Sequence, residues 1–221
     1  MNRTIIIMAK VPRAGNVKTR LQPFLDAEQC QTLAEAFLWD AINKTRNLCD
    51  RLLIAFAPAS EKDYFAAFDI ENLTAIEQRG ANLGDKMSGA CEFAFRADSD
   101  ANVVLIGTDS PTIPPEFIEG AFEFLESEAE IVLGKSADGG FYLIGLRDNA
   151  PSLFDTIEWS SALVYEQMTR NIERLKIRLQ LIPAWYDVDT PDDLRRLRDE
   201  FLQNEKAQKI APRTFQWLSR N

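Results

Sequence analysis

In VLIGTDSP, residues 104–111, an apolar run stops at Gly107 and a carboxylate, Asp109, follows two residues later. The turn-forming SDAN (99–102) precedes the run, and PPEF (114–117), a helix start, comes after it. An apolar run this short, bounded by turn residues, reads as a strand buried on both faces, and such strands belong to parallel sheets covered by helices. Asp109 then sits where the strand leaves the core. Asp and Ser in such places form turns by bonding to their own backbone. A carboxylate at a strand's carboxyl end is equally placed to meet a ligand, and Gly107 lets a backbone or ligand approach closely.

The same pattern recurs along the chain. TIIIMA (4–9), LLIAFA (52–57), residues 103–106 and EIVL (130–133) read as buried strands, with a weaker one at Leu73–Glu77. FYLIGL (141–146) and IRLQLI (177–182) complete the set. Between them lie helical stripes. Asp26 caps a helix carrying Leu33, Phe37, Ala41 and Leu48, with Gln29 at the capping-box position. Further helices are expected over 61–68, 83–95, 115–125, 161–175 and 191–202, the last with Thr190 as N-cap and Pro191 at its first position. Strand–helix alternation of this kind predicts an α/β fold, a mostly parallel central sheet with helices on both faces. One domain over 1–204 is the simplest organisation, with 205–221 as a C-terminal extension.

Composition narrows the chemistry. Of 221 residues, 46% are apolar, enough for a sizeable core, and no apolar run approaches the length of a membrane span. The start MNRTIIIMAK has too short an apolar segment for a signal peptide, so a soluble, cytoplasmic protein is expected. Cys30, Cys49 and Cys91 are widely spaced and suggest neither a zinc site nor a disulfide framework. There is no histidine, which removes Ser-His-Asp and Cys-His catalysis and imidazole metal sites. Any metal must be held by oxygen, which points to Mg²⁺, Mn²⁺ or Ca²⁺. A net charge of −9 argues against a nucleic-acid partner. Locally the sign reverses: residues 1–25 contain Arg3, Lys10, Arg13, Lys18 and Arg20 and no acidic residue.

Three elements fall at carboxyl ends of expected strands, where open parallel sheets bind ligands. AKVPRAGNVKTRL (9–21) is a loop whose cations repel one another unless an anion such as a phosphate chain compensates; otherwise it is a solvated basic loop. Lys18 and Arg20, two apart, point the same way if the backbone is extended. It is not a Walker A loop, because residue 17 is Val and the first glycine is missing. Asp109 is the second element. The third is YDVDTPDDL (186–194), where an extended chain puts Asp187 and Asp189 on one face and Val188 on the other. Two carboxylates plus a third from another strand make a hard-oxygen site suited to Mg²⁺; alternatively, Asp189 supports the helix start that follows. Asp138, Gly139 and Gly140 in SADGGFYLIGL (136–146) form either a hairpin turn or a flat backbone against a sugar or phosphate.

AKVPRAGNVKTRLQPFL, GANLGDKM, VLIGTDSPTIP, ADGGFYLIGL, WSS and YDVDTPDDL occur in the order seen in the DUF2064 family, which the chain resembles over residues 4–197. That family is described as nucleotide-diphospho-sugar transferase-like, with a GT-A fold. The chain also resembles the 2-phospho-L-lactate guanylyltransferases, most clearly in VKTRL and the acidic pair. The resemblance implies a GT-A-like three-layer α/β/α fold and Asp109, Asp187 and Asp189 as ligands of Mg²⁺ or Mn²⁺. It implies that Lys18 and Arg20 face nucleotide phosphates, with Lys10, Arg13, Gly15 and Gly84 in the same subsite. Phe141 stands where the family usually has Tyr, and the guanylyltransferases' downstream GTNAL-type segment is replaced by ADGGFYLIGL, which weakens transfer of the phospholactate substrate.

The function expected from this is a metal-dependent transferase acting on an activated nucleotide, with Asp109, Lys18 and Arg20 as catalytic residues and a small-molecule acceptor. Its first form is a nucleotide-diphospho-sugar glycosyltransferase, with Asp138, Gly139, Gly140 and Glu158 near the acceptor and Asp138 or Glu158 as base. A nucleotidyltransferase using a nucleoside triphosphate is the alternative, and a non-catalytic nucleotide-binding module is a third.

Overall fold

A computed structural model describes residues 2–66, 68 and 70–221. The strands are β1 (Arg3–Lys10), β2 (Arg51–Ala57), β3 (Leu73–Glu77), β4 (Asn102–Gly107), β5 (Ile131–Ser136), β6 (Phe141–Leu146) and β7 (Leu179–Trp185). The helices are α1 (Ala27–Thr45), α2 (Lys62–Ala66), α3 (Leu83–Ala97), α4 (Pro115–Ser127), α5 (Val164–Leu175), α6 (Pro191–Gln203), α7 (Glu205–Ile210) and α8 (Pro212–Leu218). Seven strands form one sheet in the order β3-β2-β1-β4-β6-β5-β7. All neighbours are parallel except β6, which runs antiparallel to both β4 and β5. The residues between β5 and β6 are too few for a parallel crossover, so β6 must turn back as a hairpin.

The continuous apolar runs have a direct cause. In β1, Ile5 and Ile7 enter one core layer with α1 and α4, while Ile6 enters the other with α3 and α5. Burying each such side chain stabilises the fold by about 1.5–3 kcal/mol. The mixed α/β architecture, with helices on both faces of a mostly parallel sheet, is as the alternation of patterns predicts.

Local signals hold at the helix starts. Asp26 accepts from the Gln29 amide at 2.7 Å and Gln29 Oε1 accepts from the Asp26 amide at 3.0 Å, a complete capping box. Thr190 caps α6 with Pro191 at its first position. Several boundaries differ from expectation: α1 ends at Thr45, so Leu48 lies beyond it, and β5 runs from Ile131 to Ser136 rather than over 130–133. The helix expected over 61–68 forms as α2 after a 3-10 turn at Ala59–Glu61; residue 67 lies outside the described residues, and Phe68 is not helical. α5 begins at Val164, because residues 161–163 close a turn in which Ser161 Oγ donates to the Glu158 carbonyl. β7 begins at Leu179, because Lys176 ends α5 in the left-handed region and the Ile177 amide is still bonded to Ile172.

Residues 205–221, read above as an extension, fold back as α7 and α8. Ala207, Ala211 and Leu218 join Leu33 and Phe37 of α1, Leu197 and Phe201 of α6, and Tyr186 and Val188 in a third core layer. Asp40 of α1 fixes this docking: its carboxylate accepts from the amides of Arg213 and Thr214 and from Thr214 Oγ1, at 3.1, 2.8 and 2.6 Å. Among the described residues no helix is long and apolar enough to cross a membrane.

Candidate active site

β1 and β4 are parallel neighbours at the centre of the sheet, so their carboxyl ends bring the loops that follow them side by side. The chain leaving β7 joins them there: the Val188 amide donates to the Asp109 carbonyl at 2.8 Å. Lys18 adopts the left-handed region (φ 49°, ψ 35°). Its ammonium lies 2.6 Å from Asp109 Oδ1 and 3.3 Å from Asp189 Oδ1, donates to the Val188 carbonyl at 2.7 Å, and stands 5.0 Å from the centre of the Phe37 ring. The Lys18 side chain is 5% exposed, those of Asp109 and Asp189 are 49% and 39% exposed. Burial pulls the ammonium's pKa down, but the two carboxylates outweigh it and hold Lys18 above its ordinary value. One cation and two anions leave this cluster with a net negative charge facing solvent.

Asp187 has other partners. Ser110 Oγ and Ser136 Oγ both donate to its carboxylate. Burial pushes its carboxyl above the usual range, the serine bonds pull it back, and the charges of Asp109 and Asp138 push it further up. Val188 points the opposite way, into the third core layer. The three aspartates expected to hold a metal therefore lie at one edge of the sheet but are divided, two on Lys18 and one on the serines. Among the described residues no group of three or more Asp, Glu or Cys side chains is arranged to hold a metal ion by itself.

Lys18 and Arg20 do not point the same way. The left-handed turn at Lys18 and the 3-10 turn Thr19–Leu21 break the extended geometry, so Lys18 is buried while Arg20 is exposed. Arg13 is committed elsewhere: its guanidinium pairs with Glu61 at 2.7 Å and lies over the Tyr64 ring. Lys10 is exposed at the end of β1, and Gly15 (φ +82°) has open space around it. Gly84 packs against Trp159; a Cβ there would lie 2.6 Å from the indole. Asp138 accepts from the Gly140 amide at 3.0 Å and so serves the β5–β6 turn. Glu158 is exposed, in a turn whose backbone is held by Gln167.

Gly139 meets both needs of a glycine: φ is +93°, and a Cβ would lie 2.3 Å from the Ala162 carbonyl oxygen. Gly139→Ala is expected to cost about 3 kcal/mol of stability, read as a lower urea midpoint. An unchanged midpoint would mean that the β5–β6 turn relaxes freely.

Sequence reasoning missed Ser110 and Ser136, although both sit within the quoted motifs. It also missed Lys44 of α1, which donates to the Pro111 carbonyl at 2.8 Å. Burial lowers the Lys44 pKa to about 7, with Asp40 opposing the shift. An unfolded lysine titrates near 10.5, so between these values the unfolded chain binds more protons and stability rises with pH. Below the lower value the full penalty applies. Between pH 7 and 9 Lys44 is expected to contribute a rise of about 2 kcal/mol, and Lys44→Met should flatten this part of the stability–pH curve. Parallel curves for the two proteins would refute the assignment.

Three similarities relate the chain to known proteins. The chain superposes over its whole length on the crystal structure of a candidate nucleotide-diphospho-sugar transferase from Desulfovibrio desulfuricans G20, covering 96% of that chain at 30% identity with a TM-score of 0.89. It is 23% identical over 189 residues to a 2-phospho-L-lactate guanylyltransferase of Archaeoglobus profundus, covering 82% of this chain and 78% of that protein. It shares its fold with a Mycobacterium tuberculosis H37Rv protein crystallised with manganese, at 19% identity and a TM-score of 0.52, over 89% of this chain and 97% of that one. The family model for DUF2064, described as an uncharacterized protein conserved in bacteria, matches residues 41–161, a span that holds Gly84, Asp109, Ser110, Ser136 and Asp138. With more than half of its length matched by that model, the chain belongs to the DUF2064 family.

Proposed function

We propose that this protein transfers a nucleotidyl group from a nucleoside triphosphate to a phosphorylated small-molecule acceptor, releasing pyrophosphate, with Mg²⁺ or Mn²⁺ as cofactor. The observation that carries this reading is the Asp109–Lys18–Asp189 cluster at the carboxyl edge of β1 and β4. The donors fit a divalent cation: Asp109 and Asp189 present hard oxygens, half exposed, and already share one cation, the Lys18 ammonium. These two carboxylates would hold the metal, which when bound supplies positive charge for the phosphates.

The remaining work falls to the chain's own side chains. Lys18 bridges Asp109 and Asp189 and neutralises part of their charge. Lys10 at the end of β1 and Arg20 in the turn Thr19–Leu21, both exposed, bind phosphate oxygens, and the open backbone at Gly15 lets the phosphate chain approach. Asp187 holds Ser110 and Ser136 in place, joining the end of β5 to the loop after β4. Little covalent chemistry is asked of the protein, in keeping with a chain that has no histidine. The Archaeoglobus guanylyltransferase supports nucleotidyl transfer.

Transfer of a sugar from a nucleotide-diphospho-sugar is the second reading, favoured by similarity to the Desulfovibrio protein over the whole chain. Incubation with Mn²⁺, each nucleoside triphosphate and a panel of phosphorylated acceptors, assayed for pyrophosphate, tests the first; nucleotide sugars assayed for nucleoside diphosphate test the second. A metal-dependent melting shift without either product would leave a binding module. No shift with any nucleotide would sink all three.

A further inference from the structure

On the buried side of the carboxylates, one side chain touches both segments that carry them. Glu200 of α6 accepts, at a single oxygen, a hydrogen bond from Thr112 Oγ1 at 2.9 Å and another from the Tyr186 hydroxyl. Thr112 follows Asp109 by three residues, and Tyr186 immediately precedes Asp187. Both donors are buried, at 1% and 4% exposed. One turn earlier on the same helix, Arg196 lays its guanidinium 3.8 Å from the centre of the Tyr186 ring. Across the site the same two segments are joined by the backbone bond from the Val188 amide to the Asp109 carbonyl, by the Ser110 hydroxyl on Asp187 and through the Lys18 ammonium.

We propose that Glu200 is a positioning residue that sets the distance between Asp109 and Asp189 from behind, without touching substrate. The proposal rests on the reading of these aspartates as the nucleotide and metal site. A carboxylate suits the task because it is acceptor-only and takes two hydroxyl donors at once, leaving neither of them unpaired. An amide of the same shape keeps one oxygen with two lone pairs but not the negative charge, so both hydroxyl bonds weaken to neutral ones.

Amide hydrogen exchange reads the tether without any ligand. In Glu200→Gln, exchange of the Val188 and Ile113 amides, bonded to the Asp109 and Ser110 carbonyls, is expected to quicken about tenfold or more while Ile5, Ile6 and Ile7 in the sheet centre stay unchanged. Asp199→Asn, on the exposed side of α6, should leave all of these amides alone. The affinity for Mn²⁺ with GTP is expected to fall about tenfold in Glu200→Gln. Thr112→Val should give part of both effects and add little to Glu200→Gln. Unchanged Val188 exchange in Glu200→Gln, or equal quickening in Asp199→Asn, would overturn the proposal. So would a tenfold quickening that leaves Mn²⁺–GTP affinity intact. If the wild type binds no nucleotide while Val188 exchange responds as expected, the tether stands and the nucleotide reading falls. Should Glu200→Gln fail to fold, Thr112→Val carries the same exchange measurement.

Discussion

Asp109→Asn is expected to lower the rate of pyrophosphate release by at least about a hundredfold while the fold loses only about 1 kcal/mol. The substitution keeps the side chain's size and removes its charge. Asp109 is half exposed, so little packing is at stake, and Lys18 retains Asp189 and the Val188 carbonyl as partners. What is lost is one of two hard anionic oxygens at the carboxyl edge of β1 and β4, the pair proposed above to hold the divalent cation. Initial rates beside melting curves separate the effects. A variant retaining a third of wild-type activity would remove Asp109 from the reacting centre.

Lys18→Met is expected to act on both stability and activity. Its ammonium is the buried cation on which two carboxylates and a backbone carbonyl converge, and removing one partner of a buried ion pair costs about 3 kcal/mol even where the anions keep some solvent. The variant also yields a test of sign. Without the ammonium, Asp109 and Asp189 repel each other, and a divalent cation gains a more negative place to bind. Added Mn²⁺ should therefore raise the melting temperature of Lys18→Met by more than it raises that of the wild type. A smaller rise in the variant would mean that Lys18 does not compete for the carboxylates and that its partner is the phosphate chain.

The sheet was legible because burial on two faces leaves a mark that needs no long-range information: Ile5, Ile6 and Ile7 are all fully buried, in alternate core layers. The helix starts at Asp26 and Thr190 were legible because capping is a contact across three residues. The segments forming the candidate site were also visible, since strand ends follow from strands. The direction of the side chains was not. Lys18 turns inward because its backbone is left-handed, which a spacing of two between Lys18 and Arg20 cannot reveal. Arg13 is occupied by Glu61, a partner 48 residues away. Asp187 and Asp189 keep to one side, with Tyr186 and Val188 buried on the other, yet they have different partners. Ser110 and Ser136, from the loop after β4 and the end of β5, reach the first, and Lys18 from the loop after β1 reaches the second. Residues 205–221 carry no strong local pattern; their helices are held by Asp40 and a core layer contributed by α1 and α6.

The central pairing of β1 with β4 has a kinetic consequence. Lys18, Asp109 and Asp189 meet across gaps of 91 and 80 residues along the chain, so none of their contacts helps the early, local stages of folding. Closing such long loops costs entropy that is recovered only when both strands have docked. The site is therefore assembled late, after the hairpin of β5 and β6 and the capped helices. Nucleotide binding during refolding would accordingly report completion of the sheet, lagging behind the recovery of helical signal.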